Sequence, residues 1–404
     1  MVLVPNYGIY TIGIGIELLI MIPMILYMGK SVIKENKTGG WTPILVSGVL
    51  VFLSLKFIIE GASIYYTTMA YIAKGTQQAY VDALKYALLH GTFPYPIGCF
   101  VLYFTSFIFI FFGFYFIKEK YISKNFDSKE KIEKLKENKI HPLDLEISRK
   151  MFHICIIAIL IGYLMLGKLI GMGVFNSTVS LYNHLPAASY IPYDQIDFQD
   201  LIDNHYFAFI LNKWLVIFIA IVIDLLLILS DFLRFFNFRY YPIKTIEGTY
   251  RESERGAMGP HIYLLTGMAF VGVVLPPPIA MSVISISGLA DAVATIVGIT
   301  MGKKKVHKGS KKTWAGCIGG FISALIFSLF SYFILMNLYN DPGLLAMYYP
   351  GLKPFSILQG IVVSIVGSVV FFLVDYYSPP LYYSDNILNP VLCGISMYLI
   401  CYII

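Results

Sequence analysis

The side chains able to do chemistry in this chain of 404 residues gather in four short stretches, the fullest being Ser287–Gly320, SGLADAVATIVGITMGKKKVHKGSKKTWAGCIGG. An acid, Asp291, stands inside an apolar run and is followed by Ala294, Gly298 and Gly302. At 100° per residue these four share one helix face. Small residues alone would make a packing groove, but an ionisable side chain at membrane depth is costly and marks function. Beyond the stripe come Lys303, Lys304, Lys305, Lys308, Lys311 and Lys312, with Gly309-Ser310 among them and Thr313 behind. Ammonium groups and loop N–H groups suit a polyphosphate, and a helix starting near Thr313 would turn its positive end toward the same place. The spacing Gly298–Gly302 before Lys303 is not that of a P-loop, and no strand precedes it.

Three further clusters are smaller. Arg149, Lys150 and His153 precede an apolar run, with Arg149 and His153 four residues apart and so on one face. Arg251–His261 (RESERGAMGPH) mixes acids and bases before a glycine-proline helix start, and Asp375 is followed by Asp385-Asn386 and Pro390. Asp385-Asn386 alone reads as a helix cap before Leu388. Carboxylates able to hold Mg²⁺ and lysines able to hold phosphate make phosphoryl transfer chemically reasonable if the clusters meet.

The elements that must position these clusters are set by composition. Hydrophobic residues make up 57% of the chain and charged residues 13%, against about 25% charged in an ordinary soluble domain. The apolar residues form runs of membrane-crossing length, which must be helical in lipid. About ten are expected: Tyr10–Gly29, Pro43–Ile59, Ile97–Ile117, Phe152–Ile170, Trp214–Phe232, Pro260–Leu275, Pro278–Thr300, Trp314–Leu335, Phe355–Val374 and Leu388–Ile404. The fold class expected is therefore all-α and polytopic. Gly61–Ala73, more polar, is expected as a short outer helix, and Pro276-Pro277-Pro278 as a tight turn between spans. Met1–Tyr7 carries no positive segment, so the first run reads as a span, not a cleaved signal.

The net charge of +6 invites a nucleic-acid reading that its distribution opposes. Of the 30 Lys and Arg residues, 24 lie in Lys30–Trp41, Lys118–Lys150, Leu233–Gly259 and Met301–Thr313, every second connection. Basic connections stay cytoplasmic, so all four clusters are expected at the cytoplasmic face and both termini outside. The connection holding Asp194, Asp197, Asp200 and Asp203 then faces out. Cys99, Cys155, Cys317, Cys393 and Cys401 lie in apolar runs without ligand spacing and read as packing residues. Three parts follow: an extension over 1–118 with three spans, a charged cytoplasmic linker over 119–144, and a seven-span domain over 145–404.

At this point the chain resembles a known family. Asp291-Ala292-Val293-Ala294 through Gly298, Gly302-Lys303, Ser310, Lys312-Thr313 and Gly316 is similar to the cytidine-nucleotide motif shared by dolichol kinases, phytol kinases and phosphatidate cytidylyltransferases. Arg149-Lys150-Met151-Phe152-His153 resembles the opening motif of the kinase branch, and Asp385-Asn386 with Pro390 its closing motif. The resemblance covers roughly 145–404 and does not extend to residues 1–118. It implies CTP as donor, Mg²⁺ as cofactor and a polyprenol-type alcohol as acceptor, in an endoplasmic reticulum or prokaryotic plasma membrane. It implies Asp291, Asp385 and His153 as catalytic, with Asp291 and Asp385 as metal ligands. Arg149, Lys150, Gly298, Gly302, Lys303, Ser310, Lys312, Thr313 and Asn386 would then bind the nucleotide. Two departures stand out: Ala315 replaces a usual glutamate, and the C-terminal cytidylyltransferase signature is missing, which favours the kinase branch. The alternatives are transfer of CMP to a phospholipid acid, and a transporter suggested by Glu17, Lys56 and Asp224 within spans.

Overall fold

The computed structural model describes residues 3–34, 40–76, 97–121, 155–166, 206–237, 240–242, 258–308, 312–377 and 384–404, with single positions between 79 and 86. These residues are helical, and the one extended pairing among them is an isolated antiparallel bridge between Lys305 and Thr313. In chain order the helices that matter here are α1 (Leu3–Lys34), α2 (Thr42–Ile72), α3 (Ile97–Tyr121), α4 (Cys155–Ile161), α5 (Tyr206–Phe236), α6 (Pro260–Val274) and α7 (Pro277–Ser285). A π-helical turn, Ile286–Ala290, joins α7 to α8 (Asp291–Thr300). Then follow α9 (Trp314–Met336), α10 (Pro342–Tyr348), α11 (Ile357–Tyr377) and α12 (Asp385–Ile403).

Seven segments are long and apolar enough to cross a membrane: Gly8–Lys30, Thr42–Ile72, Asn212–Phe236, Pro277–Thr300, Trp314–Met336, Ile357–Tyr377 and Asp385–Ile403. Leu102–Lys118, Ile156–Met165 and Pro260–Val274 are shorter apolar helices. The protein is a multi-pass integral membrane protein by this measure. Two expectations are corrected. Gly61–Ala73 is no separate helix, because α2 runs unbroken to Ile72; its Tyr and Thr residues are not strong enough breakers to end a helix that neighbouring packing supports. Lys213, which precedes the expected span Trp214–Phe232 and so is expected in the outer connection that holds Asp194 to Asp203, lies inside α5 and is buried.

Contacts divide the chain into two compact units, one of Met1–Ile22, Leu50–Ile108 and Ile161–Val222, the other of Pro23–Val49, Phe109–Leu160 and Ile223–Ile404. In the first, α1 and α2 approach closely at Gly8 and Gly61, where a Cβ on either would strike the other helix's backbone. Ser54 Oγ donates to the Gly15 carbonyl at 2.6 Å, and Glu17 accepts from Ser106 Oγ at 2.9 Å and from Thr105. Lys56 pairs with Glu60 one turn on.

The second unit is turned inside out relative to a soluble domain. Along α9, Ile318, Ile322, Ile326 and Phe330 form an exposed apolar stripe at four-residue spacing, while Ser323, Ser328 and Ser331 are buried. The buried serines tie helices together. Ser282 Oγ donates to the Ser328 carbonyl at 3.0 Å, the Ser285 and Ser331 hydroxyls are 2.7 Å apart, and Ser328 Oγ donates to Ser364 Oγ at 2.9 Å. In lipid such bonds average about 0.6 kcal/mol each, so close packing does most of the holding. Helices α8 and α9 pack along the small-residue stripe: a Cβ on Gly316 would lie 2.8 Å from the Ala294 carbonyl oxygen and 3.1 Å from Gly298 Cα. The glycines of the stripe therefore serve helix contact, and their effect is to bring α8, with Asp291 at its start, against the start of α9.

Candidate functional site

The segment between α8 and α9 begins as a loop and returns as a hairpin. Val306 N–H donates to the Lys312 carbonyl at 3.1 Å and Trp314 N–H to the Lys304 carbonyl at 3.0 Å, around the Lys305–Thr313 bridge. Among the described residues, then, the expected flexible loop has a backbone-bonded base. Thr313 closes it as the N-cap of α9: its hydroxyl accepts from Gly316 N–H at 3.2 Å and donates to the Gly298 carbonyl at 3.4 Å. That hydroxyl, expected on a phosphate, is engaged in capping. Gly302 has no room for a side chain, because a Cβ there would run into the Gly298 carbonyl and Thr313.

The hairpin delivers Lys312 to the ends of α11 and α12. Its ammonium bonds Asp375 at the end of α11 and donates to Asp385 Oδ2 at 2.9 Å at the start of α12. Asp375 is almost fully enclosed, with 3% of its side chain exposed, whereas Lys312 retains 29% and Asp385 26%. Asp375 Oδ2 accepts a second bond, from Cys317 Sγ at 3.2 Å. Asp291, also buried, acts electrostatically on Lys312. Burial disfavours the Lys312 ammonium, but the charges of Asp385, Asp375 and Asp291 outweigh it and raise its pKa above the ordinary lysine value.

An aromatic clamp seats the hairpin. His307 Nε2 is 3.2 Å from the Tyr376 carbonyl, its ring centroid 4.5 Å from that of Tyr376, and Trp314 meets the same ring at 5.7 Å. Around this corner the other polar elements converge. Ser384 caps α12, accepting from Asn386 N–H, and its own N–H donates to Thr42 Oγ1 at 2.9 Å at the start of α2. Asn386 Nδ2 donates to the Pro260 carbonyl at 3.3 Å, and Gly259 N–H to Asp231 Oδ2 at 2.9 Å, whose Oδ1 takes the Arg234 guanidinium at 2.5 Å. The ends of α5, α8 and α11 and the starts of α2, α6, α9 and α12 thus share one end of this unit.

The placement of the expected residues is uneven. Asp291, Asp385, Lys312, Gly298, Gly302, Thr313 and Asn386 come together there, with Lys303 exposed on the hairpin. Arg149, Lys150, His153 and Ser310 lie outside the described residues. Ser384, not Asp385-Asn386, is the cap of α12, because its hydroxyl reaches the second N–H of the helix. Cys317 is more than packing, since its thiol holds Asp375. Asp375, the enclosed partner of Lys312, belongs in sequence to the cluster with Asp385-Asn386 but takes no role in the site expected there. Of the ionisable residues behind a transporter, Glu17, Lys56 and Asp224 each have a neighbouring partner, Asp224 accepting from Thr266 at 2.7 Å.

Among the described residues no three His, Cys, Asp or Glu side chains stand close enough to hold a metal by themselves. The donor chemistry nevertheless fits Mg²⁺: two carboxylates bond one ammonium and a third, Asp291, acts on it electrostatically, leaving negative charge in excess. Mg²⁺ is usually bound by one or two carboxylates completed by water and phosphate oxygens.

No known protein family, curated protein or solved structure matches this chain.

Proposed function

We propose that the protein is a lipid-alcohol kinase that moves the γ-phosphate of CTP to a polyprenol-type alcohol at the cytoplasmic face of its membrane. The observation that carries this reading is the Lys312 ammonium held between Asp375 and Asp385, with Asp291 in electrostatic range, at helix ends beside a lysine-rich hairpin. Phosphoryl transfer asks for positioning and charge neutralisation more than for covalent chemistry, and this corner holds both signs of charge at the polar edge of an apolar bundle.

In this reading Lys303 and the other exposed hairpin lysines draw in the triphosphate, and Lys312 offsets charge on the transferred group. Asp291 and Asp385 would hold Mg²⁺, which supplies charge neutralisation on the phosphate oxygens when bound. Asp291 orients the acceptor hydroxyl and takes its proton. The alcohol oxygen then bonds to the γ-phosphorus as the bond to the bridging β–γ oxygen breaks and CDP leaves. Asp375 and Cys317 are positioning residues that fix Lys312. The cytidine preference rests on the resemblance of the Asp291–Gly316 stretch.

The test is a label-position assay on purified protein with Mg²⁺, a polyprenol and phosphatidic acid, using CTP labelled at the α- or the γ-phosphate. The kinase reading predicts lipid labelled from the γ position alone. Label from the α position would make the protein a cytidylyltransferase, and an unlabelled lipid pool would defeat both.

A further inference from the structure

Two buried polar atoms without partners among the described residues lie one helical turn into the bundle from the acids of the site. Ser287 precedes Asp291 by four residues in the π-helical turn, and Asn389 follows Asp385 by four residues on α12. Each is only 3% exposed, and Ser287 Oγ and Asn389 Oδ1 find no hydrogen-bond partner among the described residues. Four-residue spacing puts Ser287 near the Asp291 face of its segment and Asn389 on the Asp385 face of α12, and the π turn and α12 pack against each other. A level of unsatisfied polar groups therefore lies beneath the charged level, about 6 Å deeper at 1.5 Å rise per residue.

The surroundings of this level are apolar. On the same face of α12, Cys393 Sγ reaches the Gly367 carbonyl at 3.5 Å. Below it Ile286 and Met397 close on Gly367, where an added Cβ would be 2.9 Å from Ile286 Cδ1. Orphaned polar atoms in such a place cost stability unless something outside the chain bonds them. A π turn inserted in a spanning helix is also a frequent mark of a functional position.

We infer that Ser287 and Asn389 form the docking subsite for the hydroxyl group of an uncharged, long-chain lipid alcohol, which donates there to Asn389 Oδ1 and accepts from Ser287 before it rises one helical turn to Asp291 to react. The orphaned Asn389 Oδ1 calls for a donor, which a hydroxyl supplies and a carboxylate or ionised phosphate lacks, and the charge of either would lie under Asp291 and Asp385 with no cation at its level among the described residues. This assignment rests on the kinase reading for its place in a reaction, but binding can be measured without turnover.

The experiment uses the full chain in phosphatidylcholine nanodiscs and a diazirine-bearing twenty-carbon prenol as photoprobe. Labelling is competed with the unlabelled prenol and with the matching hydrocarbon that lacks the hydroxyl. The inference predicts that the alcohol competes about tenfold better than the hydrocarbon, as expected for a buried hydrogen-bonded hydroxyl. Asn389→Leu and Ser287→Ala should each erase most of that preference while the melting temperature holds or rises, because each removes an orphaned polar atom. A merely structural role would lower the melting temperature and leave the preference intact. Equal competition by alcohol and hydrocarbon, as when only buried water bonds these atoms, overturns the inference, as does a preference surviving both substitutions. A clear alcohol preference without γ-phosphate transfer would defeat the kinase reading and leave this subsite standing; transfer without the preference would do the reverse.

Discussion

Lys312 carries its charge among three carboxylates with only part of its side chain in solvent. Removing one partner of such a pair leaves an uncompensated buried charge, at about 3–5 kcal/mol. Lys312→Met is therefore expected to lower the melting temperature markedly, and Asp375→Leu added to it to recover a large part of the loss without restoring activity. Thermal melts and transfer rates on the single and double variants check both halves. The pH dependence has a definite sign. A group whose folded pKa is raised stabilises fully below its unfolded value, about 10.4 for lysine, and loses that contribution only as pH rises through the higher folded value. The melting-temperature gap between wild type and Lys312→Met should thus stay constant from pH 7 to 10. A gap that closed over that range would mean Lys312 titrates inside it. The residue types of this site were legible in sequence; the pairing was not, because Asp375 and Lys312 are 63 positions apart and nothing local distinguishes an acid that ends a helix from one that holds a lysine.

Helices α8 and α9 transmit the small-residue stripe into position at the site. Gly316 faces backbone atoms of α8 that cannot yield, whereas a Cβ on Gly319 would meet only the Val297 side chain, at 3.0 Å and beyond. Gly316→Ala is expected to cost about 1–3 kcal/mol by overpacking and to reduce transfer, since it pushes α8 and Asp291 away from Lys312. Gly319→Ala should do much less of both, and paired melting and activity measurements distinguish them. The periodicity of Asp291, Ala294, Gly298 and Gly302 announced this contact correctly. The π turn at Ile286–Ala290 left no such trace, because a one-residue irregularity hardly alters the pattern of an apolar run. The bonded base of the lysine hairpin was equally hidden, its hydrogen bonds being backbone to backbone between residues that look like any basic loop.

Across the whole molecule, apolar length was the most readable property, and it returned the spanning helices of the second unit from Pro277–Thr300 to Asp385–Ile403 with ends shifted by a few residues. It read less well where packing carries a helix through polar residues, as in α2. Alternating basic connections predict the side of the membrane: a cysteine placed at Lys304 should react with an impermeant maleimide only from the cytoplasmic side, and labelling from outside would invert the topology. The reaction itself is tested most directly at Asp291, the acid proposed to take the hydroxyl proton. Positioned proton transfer contributes about 10²–10⁴-fold. Single-turnover transfer from γ-labelled CTP to polyprenol should fall by at least that factor in Asp291→Asn, with the melting temperature retained. A variant that transferred phosphate within a few-fold of the wild-type rate would contradict the account.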